Sequence, residues 1–208
     1  MIKPTVAYKL FGGKVEVLIY GKSPGDLEES HVVQIAHQLN LKHIYYPKTR
    51  TFNAQVCKTI DFMEETKTGG VKVHTGVLVD GVSRIGRSEV VCLRTADCPT
   101  IIAHNHMTVE TIATHAGRAS LIDEKYLQNG QAKREPESVV GAISERLFAL
   151  GRQTSACDVY SCCGIGPTQF CHPIDHPEHG SFNQRRNRHI ALNYGTDCFL
   201  AGDIRRGA

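Results

Sequence analysis

The chain has 208 residues, of which 41% are hydrophobic and 22% are charged, and its formal net charge is +3 at pH 7. A chain of this length can bury a full hydrophobic core without disulfides or metal ions, so we expect a single domain over residues 1–208. The small positive charge, without a basic and aromatic stripe, argues against nucleic-acid binding. No apolar run approaches the roughly 20 residues of a membrane-spanning helix.

The first half of the chain is predicted to form short strands around one helix. Alternating apolar residues predict a strand over 14–20 that ends at Gly21. Ser23 and Pro24 are typical of a helix start, and apolar residues at helical spacing follow them. This apolar face consists of Val32, Ile35, Ala36 and Leu39. Further strands are predicted over 43–46, 52–57, 71–79 and 89–94.

In the second half, two strands over 100–103 and 108–114 flank a predicted polar turn, His104-Asn105-His106. Pro136 predicts the start of a second helix that stops at Gly151. Its apolar positions are Val139, Val140, Ile143, Leu147 and Leu150. A last strand is predicted over 158–165.

Strands dominate this pattern, and the helices are inserted among them without regular alternation. We therefore predict an α+β fold with a mixed, largely antiparallel sheet arrangement. No glycine-rich phosphate loop follows a predicted strand, which argues against the Rossmann and P-loop folds. The basic cluster Arg185-Arg186-Asn187-Arg188-His189 is predicted to be a solvated face rather than an anion site.

The chain contains 8 cysteines. The start, Met1-Ile2-Lys3-Pro4, lacks the apolar segment of a secretion signal, which predicts a cytoplasmic protein. A reducing compartment favours metal-binding or catalytic roles for cysteine over disulfides. Most of these cysteines are nevertheless expected to be small hydrophobic residues, as Cys92 is in Val90-Val91-Cys92-Leu93.

Cys98 and His115 are the strongest candidates for chemistry. Cys98 lies in Asp97-Cys98-Pro99, where the proline interrupts two apolar runs, and His115 ends a predicted strand before Ala116-Gly117. If the two strands between them are neighbours, thiol and imidazole open on the same side of the sheet. That pair is either a Cys–His nucleophile or part of a soft metal site. Taken singly, each residue also fits a structural role at a strand end.

Cys57 is the candidate for a third metal ligand. Two thiolates and an imidazole form a Cys₂His set, which suits zinc and leaves a fourth position open. An unrelated strand cysteine is the alternative for Cys57, and His74 is a substitute ligand.

Two other groups are predicted not to bind metal. Cys162 and Cys163 are adjacent on a strand, where neighbouring side chains face opposite ways. Prolines interrupt a group near the C-terminal end, which is therefore predicted to be a polar loop. Its members are Cys171, His172, His176 and His179.

Several stretches together resemble a known family. Gln55-Val56-Cys57 corresponds to a family Gln-Val-His, and Arg94-Thr95-Ala96-Asp97-Cys98-Pro99 matches a Thr-Ala-Asp-Cys core. His115-Ala116-Gly117 matches the start of His-Ala-Gly-Trp-Arg-Gly, and Gly164-Ile165-Gly166-Pro167 corresponds more faintly to Ile-Gly-Pro. On these stretches the chain resembles the YfiH-like family, also described as laccase-domain or multicopper polyphenol oxidase proteins.

The resemblance implies an α+β fold of packed sheets with outer helices. It also implies zinc held by Cys57, Cys98 and His115, and phosphorolysis of adenosine, inosine or methylthioadenosine, with adenosine deamination as a further activity. Zinc is expected rather than copper, because multicopper oxidases need several His-x-His pairs and this chain has one, at residues 104–106. The implied partners are a purine nucleoside and phosphate, with no nucleic acid and no membrane.

The chain departs from the family pattern at two places. Cys57 replaces a histidine ligand, which keeps the site compatible with zinc but makes it softer. Arg118-Ala119-Ser120 stands where Trp-Arg-Gly is expected, so Arg118 is proposed as an anion clamp that binds substrate.

Two alternatives to the zinc enzyme stay open. The same fold superfamily includes the deamidase CheD and the cytotoxic necrotizing factors, in which a Cys–His pair attacks a protein glutamine. Cys98 as nucleophile and His115 as base fit that chemistry, with a protein as substrate. The third hypothesis is an inactive binding or scaffold protein, which the altered Trp-Arg-Gly segment supports.

Overall fold

A computed structural model describes ten stretches of the 208-residue chain. These are residues 2–21, 28–49, 56–58, 61–62, 64–83, 89–95, 98–121, 138–151, 156–162 and 177–194. The strands are β1 (Val6–Leu10), β2 (Val15–Ile19), β3 (His43–Tyr45), β4 (Val56–Lys58), β5 (Glu64–Thr68), β6 (Val71–Thr75), β7 (Gly81–Ser83), β8 (Glu89–Val91), β9 (Thr100–Asn105), β10 (Glu110–His115) and β11 (Cys157–Cys162). The helices are α1 (Glu29–Gln38), α2 (Arg118–Leu121), α3 (Val139–Gly151) and α4 (Gly180–Tyr194).

The described strands form two larger sheets and one hairpin. The five-stranded sheet has the order β11-β9-β10-β7-β4, and only its β7–β4 pair is parallel. The four-stranded sheet has the order β5-β6-β3-β8, with parallel pairs on both sides of β3. β1 and β2 form an antiparallel hairpin. The predicted α+β class with mixed, largely antiparallel sheets is confirmed.

Helix α1 covers one face of the four-stranded sheet. Its buried residues Val32, Val33 and Ala36 pack against Ile44 of β3 and Val73 of β6. Ile44 and Val73 are partners in the parallel ladder, so one row of β-branched residues meets the apolar stripe of the helix.

The five-stranded sheet is buried on both faces in its centre. On one face, Ile112 of β10 packs with Ile143 and Leu147 of α3. On the other, Val82 of β7 packs against Phe62, whose ring lies 5.2 Å from that of Tyr45 on β3. This aromatic contact links the two sheets. The site described below lies at the ends of β9 and β10.

Helix α1 begins at Glu29. The predicted helix start at Ser23 lies outside the described residues. The backbone N–H of Glu28 donates to Nδ1 of His31 (3.1 Å), and the Glu28 carbonyl accepts from Val32 (3.1 Å). These bonds occupy the polar groups that the first turn of a helix leaves open.

The predicted turn at His104-Asn105-His106 is also displaced. β9 continues through Asn105, and the turn follows it. The Asn105 side-chain oxygen accepts backbone N–H groups of Met107 (2.9 Å) and Thr108 (3.1 Å). Asparagine favours this local bonding, which moves the turn to the residues after it.

Five of the named elements have no counterpart in the prediction: β1, β5, β7, α2 and α4. β5 has no apolar residue and is exposed throughout, whereas α4 is polar and yet partly buried. Arg186 and Asn187 of α4 are 3% and 4% exposed, so the prediction that residues 185–189 form a solvated face is wrong for these two. Successive helical residues turn by 100°, which leaves Arg185 and Arg188 outside.

None of the helices in the described stretches is long and apolar enough to cross a membrane.

The β1–β2 hairpin rests on His104, near the end of β9 that lies away from His115. The Phe11 ring stacks on the His104 ring at 5.4 Å, and Nζ of Lys14 lies 3.3 Å from Nδ1 of His106. Nε2 of His106 donates to Asp158 (2.7 Å). Burial lowers the pKa of His104, and the neighbouring His106 and Lys14 lower it further, whereas Asp158 raises it.

Acidification should therefore lower the free energy of unfolding, because of the lowered pKa of His104. Below the ordinary histidine pKa of about 6.5, the unfolded chain binds a proton that folded His104 resists. We expect the unfolding midpoint in denaturant to fall between about pH 7 and about pH 5, and to fall less in His104→Gln. His179→Gln removes an exposed histidine and should retain the wild-type slope. Equal slopes in all three proteins would contradict this role of His104.

The packing of β10 on α3 gives a stability prediction. Ile112 is fully buried, so Ile112→Ala removes three carbons from a filled space and should lower the free energy of unfolding by about 2–5 kcal/mol. Val159→Ala on β11, at 61% exposure, should change it by less than about 0.5 kcal/mol. Chemical denaturation measures both. Similar losses of unfolding free energy in the two variants would contradict the conclusion that the contact between β10 and α3 belongs to the hydrophobic core.

Candidate functional site

The backbone segments that carry Cys98 and His115 lie next to each other at one end of the five-stranded sheet. His115 is the last residue of β10 and pairs with Thr100, the first residue of β9. The backbone N–H of Ala116 donates to the carbonyl of Pro99 (2.8 Å), which ties the segment after β10 to the segment before β9. The structure thus brings the two residues to neighbouring positions of the backbone.

Cys98 lies in a tight bend before β9. Its backbone N–H donates to the carbonyl of Thr95 (2.8 Å), and its side chain is half-buried. Burial raises the pKa of the Cys92 thiol to about 11. The thiolate is the reactive form, so this shift argues against Cys92 as the residue for chemistry.

Asp80 holds His115 by two contacts. The backbone N–H of His115 donates to the Asp80 carbonyl (2.7 Å), and Nδ1 of the ring lies 3.5 Å from Oδ1 of the Asp80 carboxylate. Asp80 is fully buried and His115 is 4% exposed. A carboxylate facing Nδ1 favours the tautomer that carries its hydrogen there, so Nε2 presents a lone pair.

The second carboxylate oxygen of Asp80 has its own donor. The hydroxyl of Ser120 donates to Oδ2 (2.8 Å), and Ser120 is also fully buried. The backbone N–H of Ser120 donates to the carbonyl of Gly117 (2.9 Å), which places the serine in the first turn of α2.

Glycine at position 117 gives the His115 ring its room. A Cβ atom built there would lie 2.7 Å from Cε1 and 3.4 Å from Nε2 of His115. The absence of a side chain at Gly117 therefore leaves space for the His115 ring beside Asp80. The small residues after His115 also allow close approach of a ligand.

Cys57 lies on β4, two strands away from β10. Its Cα pairs with Val82, which in turn pairs with Ala113, so Cys57 stands two residues further into the sheet than His115. Its side chain lies outside the described parts, as does that of Arg118, the first residue of α2.

His74 belongs to the other sheet. Its Nε2 lies 3.1 Å from Nδ1 of His43, and its ring stacks on Tyr45. Cys162 ends β11 opposite Thr100. His179 is exposed beside Glu178, whereas Cys163, Cys171, His172 and His176 lie outside the described residues.

No group of three or more His, Cys, Asp or Glu side chains converges as a metal site within the described stretches. This set does not include the predicted third donor, because the Cys57 side chain is outside it. Of the three predicted metal donors, Cys98 and His115 are the two whose side chains the structure describes.

Asp80 and Ser120 are the site residues that the sequence analysis missed. Asp80 stands between an apolar run and Gly81, where an aspartate reads as an ordinary turn residue. A fully buried carboxylate is uncommon and needs partners, but its burial is visible only in the structure.

Comparison with known proteins supports the fold alone. No protein-family model and no curated protein matches the sequence. The chain is similar to the solved structure of the Bacillus licheniformis hypothetical protein YfiH, with a TM-score of 0.50 and 15% identity, over 83% of this chain and 59% of that one. A Neisseria meningitidis protein of the family DUF152 gives a TM-score of 0.46 and 15% identity, over 82% and 60% of the two chains.

The chain thus has the YfiH-like fold, as the sequence motifs predict. It spans about 60% of the length of these two proteins.

Replacing Gly117 tests the packing around His115. Gly117→Ala should lower the free energy of unfolding by about 1–3 kcal/mol, because the added methyl group overlaps the ring. Gly141→Ala on α3 meets only Ser138 Oγ at 3.5 Å and should be neutral or stabilising by up to about 1 kcal/mol. Denaturant titration of both variants checks this. A stabilised Gly117→Ala would show that the ring has room to move.

Proposed function

We propose that the chain is an enzyme with its reaction centre at Cys98 and His115. The observation that carries the proposal is that buried Asp80 faces Nδ1 of His115, at the end of the sheet to which the backbone before β9 also brings Cys98. A histidine oriented by a carboxylate is common both to zinc sites and to Cys–His nucleophiles.

The zinc-dependent purine nucleoside enzyme is the first candidate. A thiolate from Cys98 and Nε2 of His115 are donors that zinc accepts, and Cys57 would supply the third from β4. Bound zinc would supply Lewis-acid polarisation of phosphate or water at the fourth position. The substrate class rests on the sequence resemblance to the YfiH-like family. The similarity of fold supports that resemblance.

The residues of this chain would divide the work as follows. Asp80 would orient the His115 ring through its contact with Nδ1, and Cys98, in the segment before β9, would supply the thiolate. Arg118 would hold the phosphate by charge. Burial of Asp80 and His115 excludes water from their contact and strengthens it.

A cysteine hydrolase is the second candidate, and the same contact favours it. Cys98, His115 and Asp80 would then form a nucleophile, a base and an orienting group. His115 would take the thiol proton as the Cys98 sulfur attacks the carboxamide carbon of a protein glutamine, and would give that proton to the departing ammonia. Water would then cleave the thioester to glutamate and restore the Cys98 thiol. Cys98 cannot bind zinc in a closed site and act as a free nucleophile at once.

Metal content of the purified chain separates the two candidates. Under the zinc proposal we expect about one zinc per chain by elemental analysis, loss of zinc in Cys98→Ala and Cys57→Ala, and turnover of adenosine that depends on phosphate. Cys92→Ala is the matched control, because this buried thiol lies outside the site and its loss should leave zinc and turnover unchanged.

The opposite result supports the hydrolase. In that case the protein carries no metal, Cys98 reacts with a thiol reagent near neutral pH, and Asp80→Asn slows that reaction. Zinc that persists in Cys57→Ala would remove Cys57 from the site. A protein without zinc and with an unreactive Cys98 would overturn both candidates.

A further inference from the structure

We infer that Ser120 is a positioning residue for His115, acting through the carboxylate of Asp80. This inference rests on the proposed role of His115 in the reaction centre. The Ser120 hydroxyl donates to Oδ2 of Asp80 at 2.8 Å, while Oδ1 of the same carboxylate faces Nδ1 of His115 at 3.5 Å.

The shorter of these two contacts controls the direction of the carboxylate. The terminal torsion of aspartate is broad, so an unheld carboxylate turns easily. A separation of 3.5 Å is at the limit for a hydrogen bond and fixes direction weakly, whereas 2.8 Å is an ordinary, strong length for O–H···O. Ser120 therefore sets which way Asp80 points, and Asp80 in turn faces the ring.

The backbone makes Ser120 suitable for this task. Its N–H donates to Gly117 O (2.9 Å), and His115 N–H donates to Asp80 O (2.7 Å), so short bonds join the serine, the histidine and the aspartate. All three residues are at least 96% buried. Side-chain rotamers are restricted in such packing.

The hydroxyl of Ser120 is the donor to Oδ2 of Asp80. Removing it would leave Oδ2 buried without this donor, which costs free energy unless the carboxylate turns.

The expected consequence of losing Ser120 is a mixture of His115 tautomers. With Oδ1 held toward Nδ1, the hydrogen stays on Nδ1 and the lone pair on Nε2. A carboxylate that turns to other donors no longer enforces this choice. The position of one imidazole hydrogen is the quantity to measure, because a purely structural role of Ser120 would not change it.

Nitrogen NMR of the full-length, ¹⁵N-histidine-labelled protein reads the tautomer directly, with the His115 signals assigned by comparison with His115→Gln. The spectra are recorded after metal removal by a chelator. We expect a single Nδ1–H tautomer in the wild type and a mixture in Ser120→Ala and Ser120→Gly. Ser83→Ala, which removes another fully buried serine, should retain the wild-type tautomer.

Two results would overturn the inference: a wild-type tautomer in both Ser120 variants, or an equal shift in Ser83→Ala. Ser120→Gly carries the test if Ser120→Ala fails to fold. The tautomer is measured without metal, substrate or turnover, so an absent nucleoside activity would leave this result standing. Conversely, an unchanged tautomer would leave the reaction centre at Cys98 and His115 intact.

Discussion

Buried Asp80 joins the segment before β7 to the stretch that runs from the end of β10 into α2, which lies 35 to 40 residues further along the chain. Its backbone carbonyl accepts from His115 at the end of β10, its Oδ1 faces the same ring, and its Oδ2 accepts from Ser120 in α2. A charged group without water requires such partners, since an unpaired one costs several kcal/mol or loses its charge.

The five-stranded sheet explains why these partners converge. β10 lies between β9, which brings Cys98, and β7, which follows Asp80 directly. Both neighbours are antiparallel to β10, so the segments that precede them lie at the end where β10 stops. Gly81 allows this close pairing, since a Cβ there would lie 2.8 Å from the carbonyl oxygen of Ala113.

The sequence predicts the part of this arrangement that consecutive strands form, but it does not predict the contribution of Asp80, which is distant in the chain. Cys98 and His115 could be placed together because consecutive strands usually pair, and β9 and β10 do. Asp80 could not, because it is 35 residues from His115 and reaches it through β7, a strand of three residues with no alternating pattern. The burial of Arg186 on α4 was also missed, because composition alone predicts that a cluster of basic residues is exposed to solvent.

Under the proposed function, the choice between the two chemistries depends on β4, the strand that pairs with β7. Asp80 prepares His115 in the same way for a metal ion and for a thiol, so this contact does not choose between them. The choice lies with β4, which carries Cys57 at the parallel edge beside β7. A second thiolate donor from β4 would complete a set that holds zinc and withdraws Cys98 from nucleophilic attack. If Cys57 serves only the packing of β4, Cys98 keeps its own lone pair, and the same Asp–His contact activates it as a nucleophile.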